Sequence, residues 1–353
     1  MSTFFLLLIL LLGFLITFQI AKASEYVGVL KGEKKNFLQN NRINGFLLMA
    51  FLVLGLIGVW YCNDLYKGKI LGESASKHGE QIDTMLWITT AICGVVFVIT
   101  QILLFWFSYK YQYSEKRKAH YFPHDNRLEV IWTVVPAIAL TVLVGFGLFY
   151  WFRITGEAPS NALQVEVTGK QFGWIFRYPG KDGVFGKKYY QNISDKDGNS
   201  LGLIWDDPNT HDDISPTEMY IIKDQPVKLL INSRDVIHDV GLVYFRQKMD
   251  AVPGTPTTLW FIPKYTTDEM KKKLNNPDFE YEISCDQMCG KGHYTMRGII
   301  KVVTREEYIL WLAKQKSIYA TVFPDEDPNA AKSQDSVKAR SADQTPSTAM
   351  LGH

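Results

Sequence analysis

Charged side chains are missing altogether from four stretches of this 353-residue chain: residues 1–21, 43–63, 84–109 and 130–152. These windows are 21, 21, 26 and 23 residues long. At a helical rise of about 1.5 Å per residue, each can cross a hydrocarbon core of roughly 30 Å. Buried helices of soluble proteins keep a polar stripe, so four such windows exclude a wholly soluble chain and imply a membrane protein. An excess of charge of one sign is also missing. Lys and Arg total 38 against 36 Asp and Glu, a net charge of +2. That balance excludes nucleic acid as the main partner, which would require a clustered basic excess. Cysteine is scarce, four residues in all, and no Cys-x-x-Cys-His run occurs, which excludes a fused c-type haem.

The charges between the windows set an orientation. Residues 22–42 carry five Lys/Arg and residues 110–127 carry five more, whereas 64–83 has three Lys against four acids. The positive-inside rule places the two basic loops in the cytoplasm and 64–83 outside, so the fourth window delivers 153–353 to the outer side. Ala21-Lys22-Ala23 after an apolar run resembles a signal-peptide cleavage site. The run lacks a preceding positive charge, however, and three spans from Ser24 would put that site inside. The reading adopted is a retained first helix in a multi-pass protein of a bacterial inner membrane, with membrane lipid around its spans.

From residue 153 onward, β-rich runs occur at 163–168, 174–178, 218–222, 227–231, 257–262, 281–284 and 298–303, separated by Gly, Pro, Asn and Asp clusters. Seven short strands predict an all-β sandwich or small barrel. Thr304 with Glu307 forms a capping box, predicting a helix to about Tyr319. Residues 180–215 read as a turn-rich insertion, and 324–353 as a disordered tail. The domain plan is an N-terminal extension with the first apolar helix (1–42), a second apolar helix (43–63) and a helical hairpin (84–152). The β domain with its C-terminal helix (153–323) and the tail (324–353) complete it.

Chemistry concentrates in Cys285-Asp286-Gln287-Met288-Cys289-Gly290-Lys291-Gly292-His293-Tyr294-Thr295-Met296. Two thiolates, an imidazole and a thioether are soft and borderline ligands, the set that suits copper. Two thiolates can bridge two ions, and the second imidazole such a pair requires is available at His238. A Cys285–Cys289 disulfide, a zinc site and chance co-occurrence compete with this reading. Met296 serves neither zinc nor a disulfide and so favours copper.

Over residues 83–320 the chain resembles subunit II of the haem–copper cytochrome c oxidases. The resemblance rests on Leu128–Pro136, Gly169-Lys170-Gln171-Phe172-Gly173-Trp174, Asp235-Val236-Ile237-His238, Lys248–Gly254 and the Cys285–Met296 loop. It implies a helical hairpin followed by a cupredoxin-like Greek-key domain outside the cytoplasm. The implied dinuclear copper A ligands are His238, Cys285, Cys289, His293, Met296 and the Gln287 carbonyl. The implied function is an oxidase subunit that takes electrons from cytochrome c, or another haem donor, and relays them to haem in subunit I. Oxygen reduction and proton pumping would occur in the complex with subunit I and the other oxidase subunits, with haem only in the partner.

The resemblance further implies that Glu129 is a proton-uptake carboxylate. The surface Trp that accepts the electron in the family is Phe172 here, leaving either Trp174 as a substitute or a less localised entry. Most relatives have Glu where Gln287 stands, so a Mg²⁺ or Mn²⁺ site there is expected to be weak or absent. Asp206, Asp207, Asp212 and Asp213 could form a donor-docking patch but read better as a solvated loop. Cys62 and Cys93 read as packing residues. Two rivals are the copper subunit of a nitric oxide reductase and a metal-free quinol-oxidase scaffold; the latter lacks the ligands present here.

Overall fold

The computed structural model describes residues 3–68 and 72–326. The expected tail therefore lies outside the described residues from 327 onward, and residues 324–326 form a short 3-10 turn. The chain divides into two units, 1–71 with 87–141 and 72–86 with 142–353.

The first unit is helical. Helix α1 spans Thr3–Lys31 and α2 spans Glu33–Tyr66, separated only by Gly32 at φ +81°, a backbone that favours glycine. Helix α3 spans Lys77–Lys110 and α4 spans Asn126–Thr155, each crossing from one unit into the other. Among the described residues α2, α3 and α4 are long and apolar enough to cross a membrane. Side chains such as Trp60, Val95, Leu104, Trp132 and Val144 are exposed. Rows of large apolar groups of this kind need lipid, and a helix satisfies its own backbone there. Near the end of α3 the helices close up: a Cβ on Gly45 would lie 3.3 Å from Gln112 Nε2 and 3.4 Å from the Tyr109 ring.

The second unit is a two-sheet sandwich of nine strands. They are β1 (Leu163–Lys170), β2 (Gly173–Arg177), β3 (Met219–Ile222), β4 (Val227–Ser233), β5 (His238–Leu242), β6 (Gln247–Ala251), β7 (Thr257–Phe261), β8 (Tyr281–Cys285) and β9 (Arg297–Val303). One sheet runs β2-β1-β4-β7 and the other β3-β9-β8-β5-β6. The β1–β4 and β3–β9 pairs are parallel. Alternating side chains from both sheets interlock in one core, with Val165, Val167, Leu229, Ile231, Val240 and Ile283 fully buried.

Seven strands were expected, and the two additional ones are β5 and β6. Neither reads as an alternating apolar run: β5 is His-Asp-Val-Gly-Leu, buried on both faces, and β6 is Gln-Lys-Met-Asp-Ala. Both lie beside the His238 site, where local propensity gives way to function. The helix expected from Thr304 to Tyr319 is two helices. The Thr304–Glu307 capping box opens α6 (Arg305–Leu312), and Ser317 caps a separate α7 (Ile318–Val322) by accepting from Ala320 N. A further capping box, Thr266 with Glu269, opens α5 (Thr267–Leu274).

Residues 72–86 belong to the sandwich unit. Ala75 is fully buried; its N–H donates to Tyr244 O at 2.7 Å and its carbonyl accepts from Lys264 N at 2.8 Å. Ser76 Oγ donates to Phe245 O at 2.6 Å, and Arg246 Nε donates to Asp83 Oδ1 at 2.8 Å. A β domain cut at residue 153 thus lacks part of its own core.

Candidate metal centre

Two chain segments build the site. The turn Ser233–His238 leads into β5, whose first residue is His238, and the loop between β8 and β9 carries the sulfur ligands. Strand pairing aligns them, with Val240 opposite Cys285. Cys285 Sγ lies 3.9 Å from His238 Nδ1 and 3.8 Å from Cys289 Sγ. Cys289 Sγ lies 3.7 Å from His293 Nδ1 and 3.8 Å from Met296 Sδ. The Gln287 carbonyl is 3.1 Å from Cys285 Sγ. The structure therefore brings all six sequence-predicted ligands together, in the order imidazole, thiol, thiol, imidazole, with the thioether alongside.

The centre is sheltered: His238 is fully buried, and Cys285, Cys289 and Met296 are 7 %, 4 % and 2 % exposed. His293 is half-buried. Both cysteines are free thiols, so no disulfide links them. Burial, and then the neighbouring Cys285 thiol, push the Cys289 thiol up to about 11. Two adjacent buried thiols resist ionising unless a cation takes their charge, as a metal does when it displaces their protons. A buried thioether beside two thiols and two imidazoles fits copper better than zinc.

Supporting contacts orient the ligands. Asp235 Oδ1 lies 2.8 Å from His238 Nε2, leaving Nδ1 to face Cys285. Asp235 Oδ2 accepts from Gln171 N at 2.7 Å, and the Gln171 amide in turn donates to Cys289 O at 2.6 Å. Gly169 makes room for the imidazole, since a Cβ there would sit 2.7 Å from His238 Cδ2. Gly169, Gln171 and Asp235 stand in the quoted motifs, but only the fold assigns their roles; the Asp-x-x-His spacing at 235–238 was the available signal. Because a carboxylate on the distal imidazole nitrogen fixes ring orientation and basicity, Asp235→Ala should lower copper affinity about 10–100-fold. Chelator competition on the purified protein measures this, and Asp235→Asn, which keeps an acceptor, should lose less.

Trp174, on β2, packs against Cys285, Cys289 and Met296 and meets the His238 ring edge-on at 6.1 Å between centroids. Phe172 is 42 % exposed and lies on the sulfur loop, where a Cβ at Gly292 would come within 2.6 Å of its ring. Glu129 is far along the chain, in the first turn of α4, with its carboxylate 3.9 Å from His124 Nδ1. The Asp207 side chain accepts from Lys187 N, Asp212 accepts from Asp182 N, and Asp213 is buried against Arg177. Three of the four candidate docking acids thus hold their own loop together. Cys62 and Cys93 are exposed on α2 and α3 rather than packed within this chain.

A chain with membrane-length helices and a sandwich that gathers a Cys₂His₂Met cluster, buried except at His293, defines the class of copper-site proteins carried by membrane helices. The chain is 34 % identical over 238 residues to the alternative cytochrome c oxidase subunit 2 of Bradyrhizobium diazoefficiens, covering 67 % of this chain and 80 % of that protein. It is 25 % identical over 251 residues to cytochrome c oxidase subunit 2 of Cereibacter sphaeroides, covering 69 % and 78 %. The family model for the transmembrane domain of cytochrome c oxidase subunit II matches residues 70–149. A crystal structure of the periplasmic domain of subunit II of cytochrome oxidase from Bradyrhizobium japonicum aligns at 26 % identity and a TM-score of 0.31, over 44 % of this chain and 95 % of that one. The chain belongs to the cytochrome c oxidase subunit II family. It is a membrane-protein component of an oxidoreductase complex.

Proposed function

We propose that this subunit accepts electrons from a cytochrome c at a dinuclear copper centre and relays them to haem in subunit I, where oxygen reduction is coupled to proton pumping. The observation that carries the reading is the run His238 Nδ1, Cys285 Sγ, Cys289 Sγ, His293 Nδ1, each step between 3.7 and 3.9 Å. It offers one imidazole at each side of a thiol pair. A copper pair bound there supplies a one-electron carrier. Cys285, Cys289, His238 and His293, with Met296 and the Gln287 carbonyl alongside, are the residues that would hold it. The fold holds these groups in place, and burial limits solvent rearrangement around them.

Phe172 and Trp174 are the proposed electron-accepting residues. Phe172 offers a ring at the surface on the sulfur loop, and Trp174 fills the space between β2 and the ligands. Trp174→Ala should slow reduction by cytochrome c while reduction by a small mediator persists; stopped-flow kinetics on the oxidase complex tests this. Glu129 is proposed as a proton-uptake carboxylate because it stands directly before the charge-free window 130–152. The proposed orientation, with the sandwich on the outer side of a bacterial inner membrane, rests on the basic loops at 22–42 and 110–127.

Gln287 carries a separate expectation. Its carbonyl faces the sulfur site while its side chain is exposed and neutral. Asp286 is turned elsewhere: Oδ1 accepts from Ser284 Oγ at 3.0 Å and Oδ2 is 3.8 Å from Lys248 Nζ. A small hard dication favours charged oxygens, so an interface Mg²⁺ or Mn²⁺ at Gln287 should be weak or absent. EPR on the complex from cells grown in high Mn²⁺ should show no stoichiometric bound Mn²⁺. A tightly held ion released by Gln287→Ala would refute this.

A further inference from the structure

We infer that the electron donor docks through an acidic face, because the exposed ring beside the sulfur loop is bordered by unpaired cations. This rests on the electron-accepting role proposed above and adds the chemistry of the partner. Phe172 lies across Gly290 and Gly292, so Lys291 between those glycines flanks the ring on one side. Lys170 stands two residues before it and lines a cleft of about 530 Å³, open to solvent, that Lys196 and Lys316 also line. Among the described residues none of these four lysines makes a direct ion pair, although Lys170 lies near enough to Asp195 to help hold its carboxyl down.

The neighbouring acids are already engaged. Asp195 is held by Arg234 through contacts of 2.7 and 2.8 Å, and Asp235 is held by His238 and Gln171 N. Asp197, the only carboxylate among the described residues that line the cleft, accepts from Ser194 Oγ at 2.5 Å. The loop acids Asp207, Asp212 and Asp213 are bonded within their own turns. Asp197 and Asp235 keep their charge, but Lys170, Lys196, Lys291 and Lys316 outnumber them, so this face carries a cationic excess. The like charge of these lysines raises the local positive potential of the free subunit, which draws the carboxylates of a docking protein. Rim charges act mainly on the association step and make it dependent on salt. The occupant that fits is a soluble c-type cytochrome whose exposed haem edge is ringed by Asp and Glu, with an apolar centre to meet Phe172.

The test uses the purified oxidase complex and two reduced cytochromes c, one with an acidic haem face and one with a basic haem face. The acidic donor should have the lower KM, and that KM should climb with ionic strength. Lys196→Glu with Lys316→Glu, both distant from the ligands, should raise it about tenfold and lower the KM of the basic donor. Lys170→Glu should act in the same direction. A lower KM for the basic donor in the parent complex overturns the inference, as do KM values indifferent to salt and to both sets of variants. Absence of a copper signature reducible by a small mediator would instead strike the electron-accepting role, so the two failures are told apart.

Discussion

Cys289→Ser abolishes the shared-electron copper signature and cytochrome c-driven turnover, while the subunit still assembles into the membrane. Cys289 Sγ sits at the middle of the ligand run, lying 3.8 Å from Cys285 Sγ, 3.7 Å from His293 Nδ1 and 3.8 Å from Met296 Sδ. A hydroxyl in its place is a hard, neutral donor that does not bridge soft ions. The remaining Cys285, His238, His293 and Met296 include a single thiolate and would hold at most one copper, with the signature of an isolated ion. The side chain is small and 4 % exposed, so the exchange leaves the sandwich intact. EPR and near-infrared absorption of the purified complex read the loss, and immunodetection in the membrane checks assembly. A variant that keeps the parent spectrum would remove Cys289 from the centre.

The second large effect is on stability. Arg177, 2 % exposed, donates from Nε to Glu166 at 2.5 Å and from Nη1 to Asp213 at 2.8 Å, and its guanidinium lies over the Phe185 ring at 4.8 Å. Glu166 and Asp213 are 4 % and 0 % exposed. Arg177→Met leaves both carboxylates buried, with Lys188 and Asn232 left to serve Glu166 and only the Gly186 N–H left to Asp213 among the described partners. Breaking a buried pair in this way costs about 3–5 kcal/mol. The cost depends on pH with a definite sign. Burial holds Asp213 up at about 6 even with Arg177 beside it, above its ordinary 3.8. Its carboxyl is thus more easily protonated folded than unfolded, and its contribution to stability falls as pH rises from about 4 through 6. Removing Arg177 raises the folded value further, so the variant loses more at pH 8 than at pH 5. Amide hydrogen exchange across 178–215 in the complex should accelerate accordingly. An effect equal at both pH values would contradict the assignment.

How legible these features were varies with the kind of interaction that makes them. The metal ligands stood out because chemistry demands rare side chains at short spacing, as in Cys285–Met296. Strands such as Val227–Ser233 stood out because one face is apolar and the other is not. β5 did not, because both of its faces are buried and one residue is a ligand. Residues 72–83 read as a loop between helices; only tertiary pairing of Ala75 with Tyr244 and Lys264 reveals this stretch as part of the sandwich. Asp207, Asp212 and Asp213 looked like surface charge, since a run of letters does not show which backbone N–H groups a carboxylate will meet. The second role of Asp235 was likewise invisible until the turn placed it on His238.

The most direct test of the central claim is the EPR spectrum of the oxidised, purified complex containing this subunit, recorded with its near-infrared band. One unpaired electron shared equally by two copper nuclei is the predicted result, giving a hyperfine pattern with more lines and narrower spacing than one nucleus produces, and Cys289→Ser should eliminate it. A pattern from a single copper nucleus in the parent, or zinc in the site with no copper signal from this subunit, would contradict the account.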